Sequence, residues 1–176
     1  WASLLVPLPL LLLAAVAGEL TADTWRAIPA ALPTAPARTD PALVNHAIYT
    51  RLGGVSEGHF SQLNLGGTNG DNPEHVRENH LRLFENFGMP FESRFDVWQV
   101  HGDTIHFTDM PRPESQKHQP GDGIFTQNSE VTLMMRFADC VPILIHDPVK
   151  KVVGLVHAGW QGTLIEVGAL AVKKAV

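Results

Sequence analysis

Three short stretches carry side chains that together could hold a metal ion. Gln99-Val100-His101-Gly102, Ala138-Asp139-Cys140-Val141-Pro142 and His157-Ala158-Gly159-Trp160 contribute His101, Cys140 and His157. Cys140 is the only cysteine in 176 residues. Two imidazoles and a thiolate suit zinc, and three protein ligands leave the fourth tetrahedral position open. Water or substrate can sit at such a position, which is what a hydrolytic or transfer enzyme requires. A Cys140 thiolate needs a nearby cation, and a metal supplies one. The same residues also fit a metal-free pair, with Cys140 as nucleophile and His157 or His101 as base. Without chemistry, they would be a metal-holding scaffold.

Copper is the competing metal. A His₂Cys set with a weak axial Met is a blue-copper pattern, and Met134 and Met135 lie near Cys140 in sequence. A multicopper oxidase also needs a three-copper centre rich in His-x-His pairs. None of the nine histidines forms such a pair, so zinc is the better reading. His46, His59, His75, His80, His106, His118 and His146 are read as ordinary surface or core histidines.

Arg51 is a candidate catalytic and substrate-binding residue. It precedes Gly53-Gly54, where the backbone can approach a ligand closely, and its planar fork suits phosphate or hydroxyl oxygens. A solvated turn arginine explains it equally well on the residues alone. Asn64 and Asp122 are weaker substrate-binding candidates. Asn64 could orient loops. Asp122, in Gly121-Asp122-Gly123, could accept a hydrogen bond from a ligand histidine, but turn chemistry accounts for it too.

The elements that must position these residues are strands with helices at either end of the segment. Val44–Thr50 reads as a strand running into the Arg51–Gly54 turn. Asp71 is placed to cap a helix, with Pro73 in its first turn and Glu74 set for a capping box. Val76, His80, Leu83, Phe84 and Phe87 share one face of that helix, and Gly88 ends it. Phe95–Val100 reads as a strand delivering His101, with Ile105–Thr108 as its possible partner. Pro111–Gly123 is a polar loop. Val131–Phe137 and Val141–Ile145 are strands flanking the Ala138-Asp139-Cys140 kink. Asp147–Lys150 is a hairpin turn leading to Val152–Val156, which delivers His157. A last helix begins near Thr163, its expected cap. Tight turns between successive strands predict antiparallel or mixed pairing, hence an α+β (mixed α/β) fold.

Composition bounds the rest. The length allows one domain with a sizeable core. Apolar residues at 44% against 18% charged exclude a disordered chain. The net charge of −5 is spread along the chain without a Lys/Arg cluster, so nucleic acid is not an expected partner. A single cysteine forms no disulfide within the chain, which fits a reducing compartment. Leu4–Ala17 is nearly all apolar and ends on small residues, like a signal-peptide core. It is too short for a comfortable membrane span. It reads alternatively as a core segment or as a translated non-coding stretch. Thr21–Pro41 is rich in Ala, Pro and Thr and reads as a linker.

In order and spacing, these motifs resemble the family first labelled multicopper polyphenol oxidase, or laccase-domain proteins, read largely as purine nucleoside phosphorylases. Thr50-Arg51-Leu52-Gly53-Gly54-Val55-Ser56 resembles the family's opening motif. Leu63-Asn64-Leu65-Gly66, Gly70-Asp71, Arg77-Glu78-Asn79 and the three metal motifs follow in family order. The resemblance covers residues 42–176, leaving residues 1–41 outside it. It implies a layered α-β-β-α architecture, incomplete at the C-terminus, and a pocket-lining Arg51. It also implies a cytoplasmic enzyme (secreted, if Leu4–Ala17 is a signal peptide). The implied reaction converts a purine nucleoside and phosphate to base and ribose 1-phosphate, with adenosine deamination as a related activity. The implied metal is zinc on His101, Cys140 and His157. Two departures stand out. Gln161 replaces the arginine usual after His-Ala-Gly-Trp, and the chain begins at Trp1 and stops at Val176 inside a helix, which reads as a fragment.

Overall fold

The computed structural model describes residues 11–16 and 44–175. Among these residues, eight strands form two four-stranded sheets. In chain order the elements are β1 (Leu11–Val16), β2 (Asn45–Tyr49), α1 (Pro73–Phe87), β3 (Arg94–Asp96), β4 (Ile105–Phe107), β5 (Gly123–Thr126), β6 (Thr132–Phe137), β7 (Val141–Asp147), β8 (Val152–Ala158), α2 (Trp160–Leu164) and α3 (Val167–Ala175). One sheet runs β2-β1-β6-β3 and the other β4-β5-β8-β7. Pairing is mixed: β3 lies parallel to β6 and β4 parallel to β5, while the remaining neighbours pair antiparallel.

The two-residue period of the strands sorts their side chains between layers. Leu133, Met135 and Phe137 of β6 meet Val153 and Leu155 of β8 in one buried cluster between the sheets. Met134, on the opposite face of β6, packs with Tyr49 and with Leu83, Phe84 and Phe87 of α1. Val152, Val156 and Ala158 of β8 pack with Phe125 and with Val167 and Ala171 of α3. The layers are therefore helix, sheet, sheet, helix, as the family resemblance implied. Gly154 of β8 has no alternative in this packing, because a Cβ there would lie 2.1 Å from the Phe125 ring.

Helix α1 has the expected face, with Val76, His80, Leu83, Phe84 and Phe87 buried. Its end is as expected too: Gly88 adopts φ 78° and donates back to Phe84 and Glu85. The cap is one residue later than expected. Asn72 accepts from the Glu74 N–H at 3.0 Å, while Asp71 accepts from Ser56 Oγ and Asn64 Nδ2. Helix α2 starts at Trp160 with Gly159 before it, so Thr163 lies inside the helix rather than capping it. Its hydroxyl instead donates back to the Gly159 carbonyl.

Three strand expectations need correction. The stretch Phe95–Val100 leaves the sheet after Asp96, and Trp98 makes only an isolated bridge to Pro120. Ile105–Phe107 pairs with β5, not with the strand before His101. Strand β5 itself falls where the expected loop ends; its four residues are buried on both faces and show no alternation to read. At the N-terminus, Leu11–Val16 forms a strand between β2 and β6; the rest of Leu4–Ala17 and the Thr21–Pro41 linker lie outside the described residues. No helix among the described residues is long and apolar enough to cross a membrane.

Asn79, fully buried on α1, ties this helix to the segment after Arg51. Its Oδ1 accepts from Val55 N–H at 2.7 Å, and its Nδ2 donates to Ser56 Oγ, Gln62 O and Asn64 O. Gly54 lies against the same amide, where a Cβ would come within 2.5 Å of Asn79 Oδ1. Asn79→Ala strands one buried donor and several acceptors, so we expect a loss of about 2–4 kcal/mol in urea unfolding. A loss below about 1 kcal/mol would mean that water replaces the amide.

Candidate metal centre

His101, Cys140 and His157 converge. One ligand atom from each lies within 4.8 Å of the other two, and Cys140 Sγ is 3.7 Å from His101 Nε2. Ligands on a tetrahedral zinc stand about 3.3–3.6 Å apart, given bonds of about 2.0–2.3 Å. Small side-chain rotations close the difference.

Each ligand arrives by a different route. His157 is the penultimate residue of β8, on the face that looks between the sheets, with its ring 5.5 Å from that of Phe137. Cys140 sits where the chain leaves β6 in one sheet and enters β7 in the other. His101 lies on a bend with φ 62°, a left-handed conformation uncommon outside glycine. Its ring stands edge-on to His157 at 4.9 Å.

One carboxylate holds this arrangement. Asp122 is wholly buried immediately before β5. Its Oδ1 accepts from His101 N–H at 2.9 Å and from His157 Nδ1 at 2.8 Å. Its Oδ2 accepts from Val100 N–H at 3.2 Å and Gly102 N–H at 2.7 Å. An ionised carboxylate offers about four acceptor positions, and all are used. Because that oxygen can only accept, His157 carries its proton on Nδ1 and leaves Nε2 free for a metal. The Asp122 carbonyl also accepts from His157 N–H at 2.7 Å. The weakest of the sequence candidates is thus the residue that orients two of the three ligands. The flanking glycines are a local signal, but its partners lie about 20 and 35 residues away.

Gly159 is a residue that sequence reasoning passed over. A Cβ there would lie 2.6 Å from His101 Cδ2 and 3.1 Å from Cys140 Sγ. The glycine of His-Ala-Gly-Trp is therefore what lets the three ligands approach. Asp139 is a further neighbour, accepting from Cys140 Sγ at 3.6 Å. Burial, this hydrogen bond and the charges of Asp139 and Asp122 all push the Cys140 thiol upward from its ordinary value. That is opposite to the activation expected of a free cysteine nucleophile.

The remaining candidates make other contacts. Arg51 is exposed, and its Nη1 donates to the Ser61 carbonyl at 3.0 Å. Its own carbonyl accepts from Gln62 and Leu63. No hydrogen bond or ion pair joins it to the metal cluster among the described residues. Asn64 is buried and its amide is occupied by Gly66, Asn69 and Asp71, which is loop-orienting work. It borders a hollow of about 250 Å³ that also reaches Gln99 and Ala138, each two residues from a ligand. Gln161 is exposed on α2. Met134 and Met135 are both buried in apolar clusters, and Cys140 packs against the one that holds Met135.

A protein-family model, described as multi-copper polyphenol oxidoreductase laccase, matches residues 45–176. A Deinococcus radiodurans protein named purine nucleoside phosphorylase is 37% identical over 133 residues, covering 76% of this chain and 50% of that protein. Bacillus subtilis purine nucleoside phosphorylase YlmD is 34% identical over 131 residues, covering 71% and 47%. Among solved structures, Bacillus licheniformis YfiH superposes with a TM-score of 0.66 at 34% identity, covering 70% of this chain and 49% of that one. Geobacillus stearothermophilus YlmD gives 0.60 at 39% identity, covering 64% and 44%. The chain thus spans about half the length of the relatives it matches.

Two outcomes follow for metal binding. Asp122→Asn puts donors where four N–H groups need an acceptor, so zinc affinity should fall roughly 10–100-fold in a competition titration. Unchanged affinity would remove Asp122 from the support of the site. Zinc binding also displaces the raised Cys140 proton. The affinity should therefore fall about tenfold per pH unit as pH drops below the thiol's value, and level off above it. In Cys140→Ala this slope should lose about one proton.

Proposed function

The chain belongs to the multi-copper polyphenol oxidoreductase laccase family, and from that premise we propose that it is a zinc-dependent purine nucleoside phosphorylase. The observation that carries the reading is the His101–Cys140–His157 cluster, three ligand atoms within 4.8 Å. Relatives named purine nucleoside phosphorylase support the substrate class.

Zinc is favoured over copper by the chemistry of the donors. Histidine and thiolate suit either ion. No His-x-His pair, which a three-copper centre would need, occurs in the sequence. His101, Cys140 and His157 would hold the ion. When bound, it supplies Lewis acidity at an open coordination position.

In phosphorolysis a phosphate oxygen bonds to C1′ of the ribose as the C1′–N9 bond breaks. The electron pair leaves with the base, which gains a proton. Positive charge grows on the sugar in the transition state, so a site must hold phosphate beside it and exclude water. Val100, Val141 and Trp160, each adjacent in sequence to a ligand or to Gly159, are exposed apolar side chains of the kind that packs against a purine ring. Asp122 keeps His157 and His101 fixed while substrate binds. Arg51 is assigned to phosphate or sugar, because its remaining guanidinium donors are free to turn toward a ligand. Adenosine deamination to inosine is a second activity that such a centre would support.

The experiment is a chromatographic assay of the chain expressed with its genomic flanking sequence. Adenosine or inosine should yield free base only with phosphate present, and Cys140→Ala should abolish this together with bound zinc. Arg51→Ala should keep the zinc and lose phosphate-dependent turnover. Base release without phosphate would make the enzyme a hydrolase. Turnover that survives complete removal of zinc would support the metal-free Cys140–His pair. Oxidation of a phenol on adding copper, with no base released, would restore the oxidase label.

A further inference from the structure

A second group of ionisable side chains surrounds Asp96, at the end of β3. Its carboxylate is 2% exposed. Its Oδ1 accepts from Arg112 Nε at 2.7 Å and Nη2 at 2.6 Å, and its Oδ2 from His118 Nε2 at 2.8 Å. Arg94 Nε and Arg136 Nη1 stand farther off, at 3.7 and 3.8 Å. Three guanidinium groups, at 5%, 6% and 19% exposure, thus share one buried carboxylate.

Their hydrogen bonding is unequal. Arg112 is fully engaged, since its Nη1 also donates to the carbonyls of Pro113 and Gln116. Arg94 and Arg136 make no side-chain hydrogen bond among the described residues. Arg94 instead lies over Phe91, with Cζ 3.9 Å from the ring centre, which holds the guanidinium in place. Burial, offset by Asp96 and reinforced by Arg112, lowers both of these guanidinium groups from their usual value. An uncompensated buried cation is costly unless something pairs with it.

A cavity of about 390 Å³ opens onto this group. Arg77, Arg94, Arg112 and Lys117 border it, against two carboxylates, Asp96 and Glu114. The lining therefore carries two net positive charges before either His80 or His118 is counted. Two charges match a phosphate dianion, and a fork plus an ammonium suits a tetrahedral group of oxygens. Val76 and Phe91 give the cavity an apolar side, which inorganic phosphate does not need and a small organic phosphate can use.

We propose that this cavity is a phosphate-binding site, separate from the metal centre, in which Arg94 and Lys117 hold the phosphate group of a small phosphomonoester or of free phosphate. It stands independently of the phosphorylase reading, because none of its residues is a metal ligand.

The test is calorimetric titration of the zinc-loaded chain with glycerol 3-phosphate, inorganic phosphate and glycerol. Glycerol 3-phosphate carries no base or pentose, so it is a poor mimic of a nucleoside at the metal centre. Both phosphates should bind and glycerol should not. Arg94→Met should weaken glycerol 3-phosphate about tenfold or more, and the exposed Lys117→Ala by roughly 2–5-fold, each with unchanged zinc content. Cys140→Ala, which removes a metal ligand, should leave this binding within about twofold. Tighter binding of glycerol 3-phosphate than of phosphate assigns the organic ligand; equal binding assigns free phosphate. No binding of either below about 10 mM overturns the proposal. So does wild-type affinity in Lys117→Ala together with a folded Arg94→Met, or loss of binding in Cys140→Ala. If Arg94→Met does not fold, Lys117→Ala and Cys140→Ala decide the matter alone.

Discussion

The candidate metal centre depends on how one buried carboxylate is satisfied. Asp122 must accept four hydrogen bonds because it has no access to water. Three of the donors are consecutive backbone N–H groups, Val100 to Gly102. Wrapping three successive amides around one anion bends the backbone, and the bend is where His101 takes its positive φ. The fourth donor is the His157 ring. A single anion therefore sets the backbone under one ligand and the tautomer of another. Neither histidine could be moved without leaving part of that carboxylate unpaired in a dry interior.

The two-sheet architecture explains why the third ligand is a cysteine at a kink. Strand β6 belongs to one sheet and β7 to the other, yet only Ala138, Asp139 and Cys140 separate them. So short a crossing cannot continue the pleat, and its side chains fall at the edge where the sheets meet. Residue 140 is thereby brought beside the end of β8, whose Pro142↔His157 pairing fixes the register. A short side chain is needed there, and Gly159 removes the one Cβ that would occupy the gap. Local chain crossing, strand register and a missing side chain converge on one point.

Much of this was legible in the sequence, for identifiable reasons. The α1 face followed its period because the helix is long and one-sided. His101, Cys140 and His157 stood out because each sits where an apolar run gives way to glycine or a kink. Strand β5 did not, since both its faces are covered and no alternation survives. The strand before His101 was overextended because Val97 and Val100 continue an apolar pattern after the hydrogen-bonded ladder has ended at Asp96. Asp122, Gly159 and the Arg94–Asp96–Arg112 group were under-read for a shared cause. Their roles are made of contacts between residues distant in sequence, and single-chain periodicity carries no trace of such contacts.

The buried carboxylates Asp122 and Asp96 are satisfied in opposite ways. Around Asp122 an anion is matched by backbone N–H groups and the His157 ring, and burial, the Asp139 hydrogen bond and the charges of Asp139 and Asp122 push the nearby Cys140 thiol upward. A divalent cation is the natural complement of that field, because it replaces the proton and relieves both nearby carboxylates at once. Around Asp96 the imbalance is reversed. Burial alone would raise this carboxyl, but the His118 hydrogen bond and the charges of His118, Arg112 and Arg136 hold it well below the usual carboxylate range. The surplus there is positive; burial first, and then the Arg136 charge, bring the neighbouring His80 imidazole down to about 4. A cation-seeking group and an anion-seeking group thus sit on one fold within a short stretch of chain, at His101 and Asp96. Between them the chain leaves the sheet after Asp96 and bends at His101, where its amides meet the carboxylate of Asp122.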